Sequence, residues 1–251
     1  MSLRTISLRL LALITLTAAT LAASPATAQI RITEVMSSSG TGGTADWFEV
    51  TNYGTSAVTS TGWRMDDNTF LFANSVELLG VTTIAAGETV VFLESALPGT
   101  DVPAVQTFWG GSASTAQIGT YSGSGVGFSS NGDGVVVFDS LGVELTPQTS
   151  FPGATGGSTF YWAYDAAGDF VTGFGTQSAG VVSTVGTLPG TFSDQVTFTS
   201  TNVLANIGSP GTAVNAVPEP SSIVLAAFAG LGLAGYAARR RRSRKATPAA
   251  A

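Results

Sequence analysis

Between residues 29 and 216 the apolar positions come in short runs, and none recurs with the spacing of an amphipathic helix. Ile30-Arg31-Ile32-Thr33-Glu34-Val35 reads as a strand. Asp46-Trp47-Phe48-Glu49-Val50-Thr51 alternates, with Phe48 and Val50 on one face and Trp47, Glu49 and Thr51 on the other. Gly62-Trp63-Arg64-Met65, Thr89-Val90-Val91-Phe92-Leu93 and Val135-Val136-Val137-Phe138 add three more strands. Turn signals separate them at Asn52-Tyr53-Gly54, Asp66-Asp67-Asn68, Ala86-Gly87, Asn131-Gly132-Asp133-Gly134 and Asp139-Ser140-Leu141-Gly142. Many short strands without a helical period predict an all-β fold, an antiparallel β-sandwich with one solvated sheet face. Two stretches, 97–125 and 146–190, are rich in Gly, Ser and Thr and carry isolated aromatics such as Trp109, Tyr161 and Trp162. They are expected as long decorated loops or irregular strands.

The two long apolar runs lie outside this region. Arg4 and Arg9 precede or open an apolar stretch to Leu21, and Ala26-Thr27-Ala28 supplies a small-x-small site. This predicts a signal peptide over 1–28, cut between Ala28 and Gln29 by signal peptidase. Residues 221–238 hold no charge and are long enough for one transmembrane helix in the inner membrane. Arg239, Arg240, Arg241 and Arg242, with Arg244 and Lys245, then predict a basic cytoplasmic tail over 239–251.

Charge sharpens this division. Residues 29–216 carry two basic side chains, Arg31 and Arg64, against fifteen carboxylates, a net charge of −13 that the whole-chain value of −6 conceals. So acidic a domain repels phosphate backbones, which speaks against nucleic acid as a partner. Histidine and cysteine are absent. Ser-His-Asp and Cys-His catalysis and the usual zinc sites are therefore excluded, and no disulfide holds the fold. Carboxylate chemistry of the glycosidase kind and oxygen-ligated cations remain.

Glu34, Asp46 and Glu49 are the candidate carboxylates should the first two strands pair, although a solvated sheet face is the ordinary place for such residues and the favoured explanation. Asp133 and Asp139 are candidate calcium ligands, with Asp66-Asp67-Asn68 as a second acidic turn; all are also ordinary turn residues. Of the four tryptophans, Trp63 is expected in the core, whereas Trp109 and Trp162 are the candidates for exposed sugar contacts. Thr197, Thr199 and Thr201 form a single row on one strand face, without the repetition an ice-binding surface requires.

Two groups of motifs resemble known families. Ile32-Thr33-Glu34-Val35, Asp46-Trp47-Phe48-Glu49-Val50-Thr51-Asn52, Gly62-Trp63, an Ile-Ala-Ala-Gly-Glu segment before an apolar strand, and Ile207-Gly208-Ser209-Pro210-Gly211 followed by Asn215 together resemble the lamin-tail domain. The resemblance spans 30–215 and implies an immunoglobulin-like sandwich, a non-catalytic module for display or binding. Val217-Pro218-Glu219-Pro220, a Gly/Ala-rich span and four consecutive arginines resemble the PEP-CTERM sorting signal of Gram-negative bacteria over 217–242. That resemblance implies processing by an exosortase, a membrane protease, with Pro218, Glu219, Pro220, Arg239, Arg240, Arg241 and Arg242 as the sorting residues. It also implies delivery to the outer surface or an exopolysaccharide matrix. The expectation is thus an exported, non-enzymatic surface or matrix protein without a required cofactor. A carboxylate-dependent glycan hydrolase and a calcium-stabilised adhesin are the alternatives.

Overall fold

A computed structural model of the chain describes residues 29–40, 43–154, 156–171, 181–182 and 206–213. The strand runs read from the alternation pair as expected. β1 (Ile30–Met36) lies antiparallel to β2 (Trp47–Asn52), and β2 to β7 (Thr89–Glu94). With β8 (Ile118–Tyr121), β11 (Phe160–Tyr161) and β12 (Val181–Val182) they form one sheet in the order β12-β11-β1-β2-β7-β8. A second sheet has the order β10-β9-β4-β5, from β4 (Arg64–Asp66), β5 (Val76–Glu77), β9 (Gly132–Phe138) and β10 (Thr149–Pro152). The short pair β3 (Val58–Thr59) and β6 (Thr83–Ile84) stands beside them.

The main core fills the space between the sheets. Ile30, Ile32, Val35, Phe48, Val50, Val90 and Phe92 come from the first sheet, and Met65, Val135, Val137 and Phe151 from the second. Trp63 joins them, as its place in the sequence implied. A β-bulge between Ile32 and Glu34 breaks the alternation of β1. It turns Thr33 and Glu34 together to the outer face and returns Val35 to the core opposite Phe48.

Three expectations fail here. The first concerns 97–125, which holds an α-helix, α1 (Pro98–Trp109). Proline at its first turn and Asp101 near its N-terminus suit a helix start, and Gly110 at φ 56° ends it. Its apolar stripe is so narrow that only Val105 and Trp109, one turn apart, are fully buried, and Pro103 interrupts its interior. This explains why no helical period stood out. The helix is the crossover that lets β8 run parallel to β7, so the sheet is mixed rather than wholly antiparallel. The second failure concerns the outer sheet face, which is covered and not solvated. Met36, Trp47, Val91 and Leu93 pack there against Val105, Trp109 and Ala113. The third concerns the exposed-sugar candidates: Trp109 and Trp162 are both buried. Trp109 meets Trp47 edge-on at 5.8 Å between ring centroids, and Trp162 belongs to the main core.

Candidate functional site

The outer face changes character along β1, β2 and β7. Beyond the apolar end under α1 lie Thr33, Glu34, Glu49, Thr51 and Thr89, all buried. The register sets Glu34 directly opposite Glu49, so pairing of the first two strands does bring these two carboxylates together. Solvent does not reach them: Glu34 is 1% exposed and Glu49 0%.

What covers them is the returning chain at 206–213. Ile207 bridges to Ser158 in parallel, and its carbonyl accepts the Thr159 N–H at 3.0 Å. Gly208 can lie flat on the sheet because a Cβ there would stand 2.9 Å from Glu34 Oε1 and 2.8 Å from Thr159 Cγ2. Ser209 then donates its N–H to both Glu34 oxygens, at 2.9 and 3.1 Å, and its hydroxyl to Oε2 at 2.9 Å. The Thr159 hydroxyl donates to Oε1 at 2.5 Å. Gly211 donates its N–H to Glu49 Oε2 at 2.7 Å, while the Thr33 hydroxyl reaches Oε1 at 2.6 Å. From Thr33 a hydroxyl chain continues to Thr51 at 3.1 Å and Thr89 at 2.9 Å. Buried polar groups need such partners, and here each carboxylate oxygen has at least one.

Electrostatics follows from this burial. Desolvation pushes Glu34 from 4.5 up to about 7, against the opposing effect of its Thr159 and Ser209 hydrogen bonds. Burial, with the charge of Glu34 added, holds Glu49 well above the ordinary carboxylate range. Both shifts oppose two full negative charges side by side at this point of the sheet. The cleft of about 360 Å³ near the apolar end is lined by Leu93, Asp101, Val105 and Phe108 among others, and by neither glutamate.

The candidate calcium ligands separate. Asp133 and Asp139 stand at or just beyond the two ends of β9, about 20 Å apart by the rise of a strand. Asp133 accepts backbone N–H groups from Ser129, Asn68 and Gly134, and Asp139 accepts those of Leu141 and Val143. Both act as turn residues, and Asp133 ties the Asp66-Asp67-Asn68 turn to the second sheet. Asp46 lies apart from the buried pair, at the opposite end of β2 from Asn52.

Thr33, Thr159 and Ser209 are the participants that strand alternation could not single out. Only the Gly-Ser-Pro-Gly segment carried a signal, through its likeness to a closing motif. Gln29 begins the described residues, and its carbonyl accepts the Tyr53 N–H at 2.8 Å. Ala26, Ala28, the Thr197–Thr201 row, Pro218, Glu219, Pro220, Arg239–Arg242 and the expected span 221–238 lie outside the described residues. Among the described residues no helix is long and apolar enough to cross a membrane.

No curated protein matches the chain. Two families do. The PEP-CTERM protein-sorting motif matches residues 216–242, taking in the Pro-Glu-Pro triplet and all four consecutive arginines. A signal of this kind marks an exported surface protein of the Gram-negative envelope that an exosortase processes. The Lamin Tail Domain matches residues 23–151, beginning inside the expected signal peptide and ending in β10. That match stops short of β11 and of the 206–213 segment, which complete the same sandwich. With half of its length matched and its β-sandwich described, the chain belongs to the lamin tail domain family and carries a PEP-CTERM sorting signal.

Proposed function

We propose that 29–216 is a non-enzymatic module presented at the outer surface or in an exopolysaccharide matrix. In this reading 1–28 is removed at Ala28–Gln29, and 221–238 anchors the chain until an exosortase cuts near Pro218-Glu219-Pro220. One observation supports the non-enzymatic half. Glu34 and Glu49, the only expected catalytic carboxylates that meet, spend their oxygens on donors from their own domain. A glycosidase needs one carboxyl on the leaving oxygen and the other on a water or the sugar, and buried, saturated groups reach neither.

The sorting half rests on the chemistry of the triplet. Two prolines fix φ and remove two backbone donors, and each holds the residue before it extended. The result is a stiff strip that a protease binds with little ordering cost. The test is one fractionation experiment on the full chain and its Pro218-Glu219-Pro220→Ala-Ala-Ala variant, with each fraction assayed for polysaccharide cleavage. The variant should lose its signal peptide normally yet accumulate uncut in the inner membrane, and no fraction should release sugar. Normal trimming of the variant contradicts the sorting assignment. Sugar release lost in Glu34→Gln or Glu49→Gln contradicts the non-enzymatic one.

A further inference from the structure

At the other end of the sandwich three strands place oxygens in one row. β2 and β7 pair Trp47 with Leu93, and one step further the Glu94 N–H donates to the Asp46 carbonyl at 2.8 Å. Asp46 and Glu94 are thus cross-strand neighbours on the side of Phe48 and Phe92, the core side. The parallel register of β7 and β8 sets Tyr121 beside Glu94 in the same row. Carboxylates directly opposite one another repel. Among the described residues no basic side chain answers them. Arg31 is held by the Gly168 and Ile30 carbonyls, and Arg64 by Ser75.

The Tyr121 hydroxyl supplies an independent sign. The residue is fully buried, yet its oxygen has no hydrogen-bond partner. The charges of Glu94, Asp46 and Asp133 all act on it, so it points into this acidic end. An orphaned buried hydroxyl is costly unless something fills its lone pairs. The same surroundings, burial first and then Glu94 and Asp133, push Asp46 from 3.8 up to about 7.

The loop that leads from β8 to β9 lies against the row. A Cβ on Gly123 would fall 1.8 Å from Glu94 Oε1, so the loop backbone lies directly against that carboxylate. A Cβ on Gly127 would stand 3.4 Å from the Gly123 carbonyl oxygen and 3.6 Å from Glu94 Oε2, so carbonyl and carboxylate oxygens converge on the same point. Asp46, Glu94 and Gly123 are each partly open to solvent, which gives an ion a way in.

We infer that this rim is a calcium site, with Asp46 and Glu94 as the charged ligands and Tyr121 Oη and the Gly123 carbonyl as neutral ones. The donors are all oxygen and lack nitrogen or sulfur, which suits a hard cation and not zinc. Calcium takes six to eight oxygens in irregular arrangements, so water completes the shell where magnesium would demand a near-ideal octahedron. Among the described residues no three acidic side chains form a cage by themselves. Asp133, its oxygens engaged by backbone N–H groups, adds field rather than a ligand. The site differs from the Asp133–Asp139 pairing expected from sequence, and it stands whether or not the module is catalytic. A bound ion would tie three strands of one sheet to the loop that enters the other.

The test uses the full chain stripped with a chelator, then given calcium or magnesium chloride. Calcium should raise the melting temperature by several degrees at millimolar concentration, with a smaller effect from magnesium, since an ion bound only to the folded state must stabilise it. Asp46→Asn with Glu94→Gln should abolish the rise, whereas Asp139→Asn should keep it. In chelator the double variant should melt no lower than the parent, because its carboxylate repulsion is gone. Terbium in place of calcium gives a second readout that needs no melting curve: emission excited through aromatic residues should saturate on the parent and fall severalfold in Tyr121→Phe. No calcium response in the parent, or one that survives in the Asp46–Glu94 variant, overturns the site.

Discussion

Along the outer face of the six-stranded sheet, Met36, Trp47, Val91 and Leu93 lie under α1, while Thr33, Glu34, Glu49, Thr51 and Thr89 lie under 206–213. Both ends exclude water, but they do so by different physics. The apolar end is held by area and shape: Val105, Trp109 and Ala113 cover the strand residues, and no particular atom pair is required. The polar end is held by matched donors and acceptors, with Ser209 assigned to Glu34 and Gly211 to Glu49. Slipping the 206–213 segment by one residue would take the Ser209 and Gly211 donors away from three buried carboxylate oxygens. Packing therefore covers one half, while hydrogen bonding fixes the register of the other.

Breaking each half should separate the two mechanisms. Trp109→Ala removes the largest side chain that the helix buries and leaves a cavity beside Trp47. We expect a loss of about 3–5 kcal/mol in urea unfolding of the full chain. Glu34→Ala should cost less, about 2–3 kcal/mol, chiefly through the Ser209 and Thr159 donors left without an acceptor. The unfolding midpoints of the two variants check this order. A negligible loss in Glu34→Ala would mean that 206–213 does not depend on the carboxylates.

A smaller and more selective effect concerns pH. Burial pushes Glu34 and Asp46 up to about 7, above their ordinary 4.5 and 3.8, and holds Glu49 well above the ordinary carboxylate range. The folded state binds these protons more tightly than the unfolded state does. The resulting stabilisation is complete below about pH 4 and is lost as the pH rises through 7, by at most about 1.4 kcal/mol per pH unit for Glu34 and by less for the partly exposed Asp46. Stability measured from pH 5 to 8 should therefore fall. Glu34→Gln should flatten the slope and Trp109→Ala should leave it unchanged. A rise in stability over that interval contradicts the raised values.

The contrast also marks what was legible in the sequence. Phe48, Val50, Val90 and Phe92 alternate cleanly and were readable as core, as was the hairpin turn at Asp139-Ser140-Leu141-Gly142. Alternation names two faces, however, and does not say whether the second is wet. Glu49 and Thr51 looked like solvent-facing residues because charged and hydroxyl groups usually are. The donors that make the burial of Glu34 tolerable come from Thr159 and Ser209, 125 and 175 residues along the chain, and one donor to Glu49 comes from Gly211, 162 residues away. No local pattern encodes such a pairing. The helix was hidden for another reason, since Pro98, Gly99, Thr100 and Pro103 are poor helix formers and packing on Trp47 overrides them. Trp109 and Trp162 were misplaced on the same ground: a Gly-rich surrounding read as loop, while the fold used both rings as core.

The central claim is that Glu34 and Glu49 serve as buried acceptors for the returning chain. Amide hydrogen exchange at Ser209 and Gly211 tests it most directly, because those two N–H groups end on the carboxylates. In the parent protein both amides should exchange as slowly as those of β2 and β7. In Glu34→Ala the Ser209 amide should become fast while β7 stays protected. Ser209 and Gly211 amides that exchange freely in the parent, beneath slow strands, would contradict the account.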